Sequence, residues 1–327
     1  MERPLAAKQR ERSTPKRVRQ QDTRRKGNFM PGAELEDDAW YQAVAAIDAG
    51  DVQRLQLLLA AHPRLGTDRL DASPEWLRLQ LGDAADGFFN RPYLLWFVAE
   101  DPMRNGRLPP NIAEIIRVIV ASARATKAAT LQEQLDSTLR LVCWSGVAAD
   151  SGLQLEMIDT LVDAGAAPAK NPNNALVNGH IAAAEHLLSR GAILTLGAAL
   201  CLERWDEAER LSAQSTPDVR QFSLVLASLN GKATGVEWIL ARGASPNEPS
   251  ADLYAHGTPL HHAVCSGSLD TVTVLVNAGA ELQRRDSAWN ATPLGWAEYY
   301  EQNSDSKQRR RYSVIASYLR DAAASRE

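Results

Sequence analysis

The chain has 327 residues, 45% of them hydrophobic and 23% charged, with a formal net charge of -4 at pH 7. This is the composition of a globular protein rather than a disordered one. No run approaches the roughly 18 to 20 uncharged apolar residues that a membrane helix needs, and the opening MERPLAAKQRERSTPKR lacks the apolar core of a secretory signal, so a cytoplasmic protein is expected.

The charge is unevenly spread. Residues 1–29 carry ten Lys or Arg against three Asp or Glu, while the remainder carries 26 against 37. With few apolar residues and no periodicity, this leader is expected to stay disordered, because it buries too little surface to offset its ordering entropy. Lys16, Arg17, Arg24, Arg25 and Lys26 can be read as a targeting or nucleic-acid patch, as a solvated tail, or as an over-extended start ahead of Met30. The excess of Arg over Lys and the many Ala residues fit a GC-rich, bacterial coding sequence.

From residue 30 the chain is patterned. Apolar residues recur at offsets 0, +3, +6 and +7, one stripe of an α-helix. The stripe appears as Val52, Leu55, Leu58, Leu59, and then as Ile112, Ile115, Val118, Ile119. Between them, residues 63–90 form a connector too long for a simple turn, expected to lie on the surface, and RPYLLWFVAE from Arg91 reads as a first helix without a cap. The stripe continues as Leu155, Ile158, Leu161, Val162; Ile181, Ala184, Leu187, Leu188; and Trp205, Ala208, Leu211, Ser212. Its last three copies are Ala233, Val236, Ile239, Leu240; Leu269, Val272, Leu275, Val276; and Tyr312, Ile315, Tyr318, Leu319.

Glycines at 165, 191, 243 and 279 close four of these helices, as expected where the left-handed conformation satisfies the last carbonyls. Ahead of the last two stripes stand TPLHHAVCS (Thr258) and TPLGWAEYY (Thr292), where Thr caps a helix start and Pro takes the first helical position. Each unit is thus a helix-turn-helix, the fourth and fifth compressed to roughly 24 to 26 residues, too small to bury its own apolar face, so neighbours must stack.

The segment GTPLHHAVCSGSLDTVTVLVNAGAEL resembles the ankyrin repeat consensus, with its Thr-Pro-Leu-His opening, central Gly and terminal Gly-Ala. The resemblance is most specific over the last two or three repeats. It implies an all-α helical repeat solenoid of about eight repeats over residues 30–327, some of them degenerate or compressed, with a concave face of fingers and first helices that binds proteins. A non-catalytic scaffold or regulator with a protein partner, no membrane, no nucleic acid and a monomeric state are therefore expected. An exported effector that binds proteins of another cell is the alternative.

On that face Trp289, in the finger RRDSAWNAT with Arg284 and Arg285, is the leading candidate contact, since exposed Trp and Arg are enriched at binding hot spots. It reads equally as packing onto Trp296 or Tyr254. Tyr254 and His256 in the preceding finger, and His262 on the adjoining helix, complete the candidate patch, whereas Trp296 reads as core.

Zinc-type ligands do occur close together at His256, His261, His262 and Cys265. In the resemblance, however, His261 is the histidine that bonds within its own repeat, and Cys265 falls at a packing position. The three cysteines, Cys143, Cys201 and Cys265, are odd in number and far apart, which speaks for free thiols rather than a disulfide framework. No HExxH, phosphate loop, GxGxxG or GxSxG is present, so neither catalysis nor a cofactor or metal is expected. An enzymatic reading would need a site in the 63–90 insertion, with Trp76, Asp83, Asp86 and Asn90.

Overall fold

The computed structural model describes residues 31–71, 74–169 and 171–326. The basic leader, residues 1–29, and the question of where translation begins lie outside them. About two thirds of the chain is helical, and among the described residues the β-structure is limited to two isolated bridges, Arg69 with Tyr93 and Ser250 with Leu253. Contacts divide the chain into two compact units, one ending at Pro168 and the other beginning at Ala169.

The first unit contains α1 (Pro31–Ala49), α2 (Val52–Ala61), α3 (Glu75–Leu81), α4 (Ile112–Ala125), α5 (Leu131–Trp144), α6 (Gly146–Asp150) and α7 (Gln154–Asp163). The striped helices form one row, α2 on α4 and α4 on α7. A second row is made by α1, the 3-10 segment Leu94–Ala99 and α5. The second unit contains α8 (Asn171–Val177), α9 (Ile181–Ser189), α10 (Leu196–Cys201), α11 (Trp205–Ser212), α12 (Pro217–Leu229), α13 (Ala233–Leu240), α14 (Pro259–Ser266), α15 (Leu269–Asn277), α16 (Pro293–Asn303) and α17 (Ser306–Ala324). Here the first helices α8, α10, α12, α14 and α16 stack in sequence, and α13, α15 and α17 stack behind them.

The stripe has a sharper form than its spacing alone implies. Its second residue is fully buried in all eight copies: Leu55, Ile115, Ile158, Ala184, Ala208, Val236, Val272 and Ile315. The leading residue is less constant, and Leu155, in the first turn of its helix, is 38% exposed. In the fifth copy neither Leu211 nor Ser212 is buried, so this repeat holds its neighbours least.

Helix starts follow the caps. The hydroxyls of Thr216 and Thr292 accept from Val219 N at 3.3 Å and Gly295 N at 3.2 Å. Thr258 and His261 form a capping box, with Thr258 N–H donating to His261 Nδ1 at 3.2 Å.

Two expectations for the first unit need correction. The 63–90 connector is not a surface excursion: Leu65, Leu70, Leu77, Leu81, Ala85 and Phe89 within it are buried. Phe89 meets Phe97 edge-on at 5.3 Å and Trp96 at 5.8 Å, and Trp76 lies between Tyr41 and Phe97 at 5.6 and 6.4 Å. Residues 94–99 form a 3-10 segment rather than an α-helix, with all six side chains buried. Helices on both sides and the aromatic insertion enclose it, so no solvent face remains for a two-sided helix.

The thiols behave as core. Cys143 and Cys201 are buried and Cys265 partly so, and no disulfide joins them. Burial pushes the Cys201 thiol up to about 12, with Lys232 opposing weakly, and raises Cys143 further, which keeps both protonated and inert.

Candidate interaction site at the last two fingers

Two connections project beside one another in the second unit: residues 241–258 between α13 and α14, and residues 278–292 between α15 and α16. The first is fixed to α12 by Gln221, whose amide donates to Ser245 O at 3.0 Å and accepts from Ser245 N at 2.9 Å. The second is tied to the first by Ser287 N to His256 O at 2.9 Å and by Glu281 N to Asn247 Oδ1 at 2.8 Å.

The keystone of the second finger is Asp286. Its carboxylate accepts from Ala288 N at 2.8 Å, Trp289 N at 2.6 Å, Ala291 N at 3.0 Å and the Trp296 indole at 3.0 Å. Burial works against its charge, but donors from Trp289, Trp296, Ala291 and Ala288 outweigh that cost and hold the carboxyl below its usual range. Asp286 was not among the sequence candidates. An aspartate two and three residues ahead of small and aromatic turn positions is the local signature of an Asx turn, and that signal was available.

Held this way, Trp289 packs edge-on against His256 at 4.9 Å and Trp296 at 5.5 Å, and remains partly exposed. Trp289 therefore packs onto Trp296, as one of its two sequence readings expected, and keeps part of its surface exposed. His256 is half-buried, lies parallel to Trp296 at 5.9 Å and reaches Tyr254 at 5.9 Å. Burial lowers its pKa against the pull of Asp286, so the ring is neutral at neutral pH. Tyr254 is 36% exposed. Arg284 and Arg285 are exposed at the finger edge, Arg284 lying 3.6 Å from Glu281 and Arg285 donating to Asn290 O at 2.6 Å.

His262 does not belong to this surface. It is 2% exposed beneath Gly257, where a Cβ would stand 3.2 Å from Nε2, and Nε2 has no hydrogen-bond partner. Burial, reinforced by His256 and His261, lowers its pKa to about 3. A partner approaching the fingers cannot touch it. His261 is also enclosed, with Nδ1 on the Thr258 amide and Nε2 3.1 Å from Ala291 O, so it links two repeats as a neutral ring. Its pKa falls to about 4, chiefly through burial. Among the described residues no group of three His, Cys, Asp or Glu is placed to hold a metal ion.

What remains is an aromatic surface of Trp289, His256 and Tyr254 edged by two guanidinium groups, suited to apolar and acidic side chains of another molecule. The repeat architecture behind it has relatives. Residues 212–306 match the family model for ankyrin repeats (3 copies), so the chain contains ankyrin repeats. Human cyclin-dependent kinase 4 inhibitor B is 39% identical over 92 residues, which cover 28% of this chain and 57% of that protein. Human cyclin-dependent kinase inhibitor 2A is 44% identical over 68 residues, 21% of this chain and 42% of that protein. The chain thus spans about half the length of the curated relatives it matches. The human ASB11 ankyrin repeat domain aligns with 70% of this chain and 96% of its own, at 20% identity and a TM-score of 0.32.

Proposed function

We propose that this protein is a binding module that recognises a partner protein through the fingers of its last two repeats, with Trp289, Tyr254 and His256 as apolar contacts and Arg284 and Arg285 as the charged edge. The observation that carries this reading is the Asp286 turn: three backbone hydrogen bonds fix the turn that carries a partly exposed tryptophan and a fourth ties it to Trp296, which lowers the entropy cost of binding through it. The names of the curated relatives describe inhibitors of a cyclin-dependent kinase, itself a protein, and this favours a macromolecular over a small-molecule ligand.

Affinity purification with the full chain as bait, quantified by mass spectrometry, tests the assignment. A double variant Tyr254→Ala, Arg284→Glu alters exposed side chains only and is expected to lose a specific partner that the wild type retains. Equal recovery by both baits rejects the finger surface as the binding site.

A further inference from the structure

A second surface lies away from the fingers, where α17 passes the turn between α14 and α15. A groove of about 370 Å³ opens there, lined by Gly267, Leu269, Lys307, Arg310, Arg311 and Val314. The four α17 residues are spaced i, i+3, i+4 and i+7, which places three cations and one valine on a single helical stripe. This is the amphipathic logic of the repeat inverted, since the stripe that faces the core is the separate set Tyr312, Ile315, Ala316 and Leu319.

Among the described residues none of the three cations has a carboxylate partner, although other charges nearby do. Arg320 pairs with Glu298 at 2.8 Å, and Asp305, the acid nearest in sequence to Lys307, spends its carboxylate on the amides of Lys307 and Gln308, each at 3.0 Å. Among the described residues no acid lines the groove. Three unpaired cations around an apolar floor, with Val314 47% exposed, raise the local potential in a chain whose residues 30–327 carry an excess of acid.

We infer that this groove docks a short acidic peptide segment of a partner protein, its carboxylates on Lys307, Arg310 and Arg311 and one apolar side chain on Leu269 and Val314. Arginine takes a carboxylate through two parallel N–H bonds, and two such forks one residue apart suit an extended acidic segment. A nucleic-acid strand fits less well. Among the described residues the lining offers no aromatic ring for base stacking. The inference stands apart from the finger assignment, since it uses none of the same residues.

The test uses the full chain and a fluorescein-labelled peptide, Glu-Glu-Asp-Leu-Glu-Asp-Glu, followed by fluorescence anisotropy. Binding should weaken steeply between about 0.1 M and about 1 M sodium chloride, as an exposed charge contact does. Arg310→Glu, Arg311→Glu should weaken it at least about tenfold while leaving the helical circular dichroism and melting temperature unchanged, because both side chains are exposed. Replacing the peptide leucine by asparagine should weaken binding several-fold through the apolar floor, a loss that purely electrostatic capture by the basic residues 1–29 would not show.

Carbodiimide coupling on the wild type needs no variant. It should join peptide carboxylates to Lys307. Equal affinity of the double variant, coupling confined to Lys8, Lys16 and Lys26, or insensitivity to the leucine each overturns the proposal. So does a single-stranded DNA heptamer that binds more tightly than the peptide and is lost in the same variant, which would assign the groove to nucleic acid.

Discussion

The carboxylate of Asp286 accepts three backbone amides and one indole from within ten residues, so its removal leaves four donors without their acceptor. Asp286→Ala is expected to cost about 2–4 kcal/mol in urea unfolding, and to abolish partner binding although Asp286 itself contacts nothing outside. Asp101 in the first unit works in the opposite sense. Burial, with the neighbouring Glu100 carboxylate, raises its pKa to about 7, and Oδ2 has no hydrogen-bond partner. Arg104, which is nearby in the chain, is committed elsewhere: to Asp48 at 2.9 Å and Glu100 at 3.1 Å. The folded state therefore holds the Asp101 proton up to about pH 7, the unfolded chain only to about pH 4, and stability is lost as pH rises through that window. Asp101→Asn should raise the melting temperature by several degrees near pH 8 and by less than half as much near pH 5, which lies early in that window; an equal shift at both pH values would dismiss the buried carboxyl as its source. Little of this was legible beforehand. Asp286 had a local turn signature, but the ionic partner Asp48 lies far from Arg104 in sequence, and nothing in TPLHH tells that Gly257 closes over the ring of His262.

Helices fared better than connections, for a physical reason. A stripe repeated at fixed spacing has a single buried solution, and all eight second positions are at zero exposure. A long connector lacks periodicity, so nothing local distinguishes a loop from a core segment, and residues 63–90 contribute to the core because Trp76 and Phe89 pack on the aromatic rings of Leu94–Ala99. Phe89→Ala should accordingly destabilise the first unit by about 3–5 kcal/mol, whereas Leu57→Ala, at a side chain 72% exposed on α2, should stay within about 0.5 kcal/mol in the same denaturant titration. Similar costs for the two would return the insertion to the surface. The histidines of α14 give that helix its own pH response. Both rings have folded pKa values below the usual 6.5, about 4 for His261 and about 3 for His262, so the stability they support is complete above about pH 6.5 and drains away as pH falls towards those values. Amide exchange of α14, compared at matched intrinsic rates, should show protection falling between about pH 6.5 and about pH 4, and His261→Gln should flatten part of that dependence.

In a stack whose repeats touch only their neighbours, stability is distributed according to what each repeat buries rather than pooled in one centre. The second unit is graded in this respect. At the invariant buried position the sixth, seventh and eighth repeats place Val236, Val272 and Ile315, while the fourth and fifth place Ala184 and Ala208, and the fifth adds the incompletely covered Leu211 and Ser212. The residues that match the ankyrin family model, 212–306, are largely the better-filled part, which is why the repeat consensus was readable there and faded upstream. Less apolar surface removed from water means a smaller opening free energy. Hydrogen exchange should therefore find α9 and α11 opening at lower free energy than α13 and α15, and Val236→Ala, at a cost of about 1–3 kcal/mol, should speed exchange first in α13 and in the α12 and α15 helices packed on it. If α9 and α11 instead exchange as slowly as α15, and Val236→Ala loosens the whole unit uniformly, the unit opens as a single block and the size of the buried side chain in each repeat does not set its local stability.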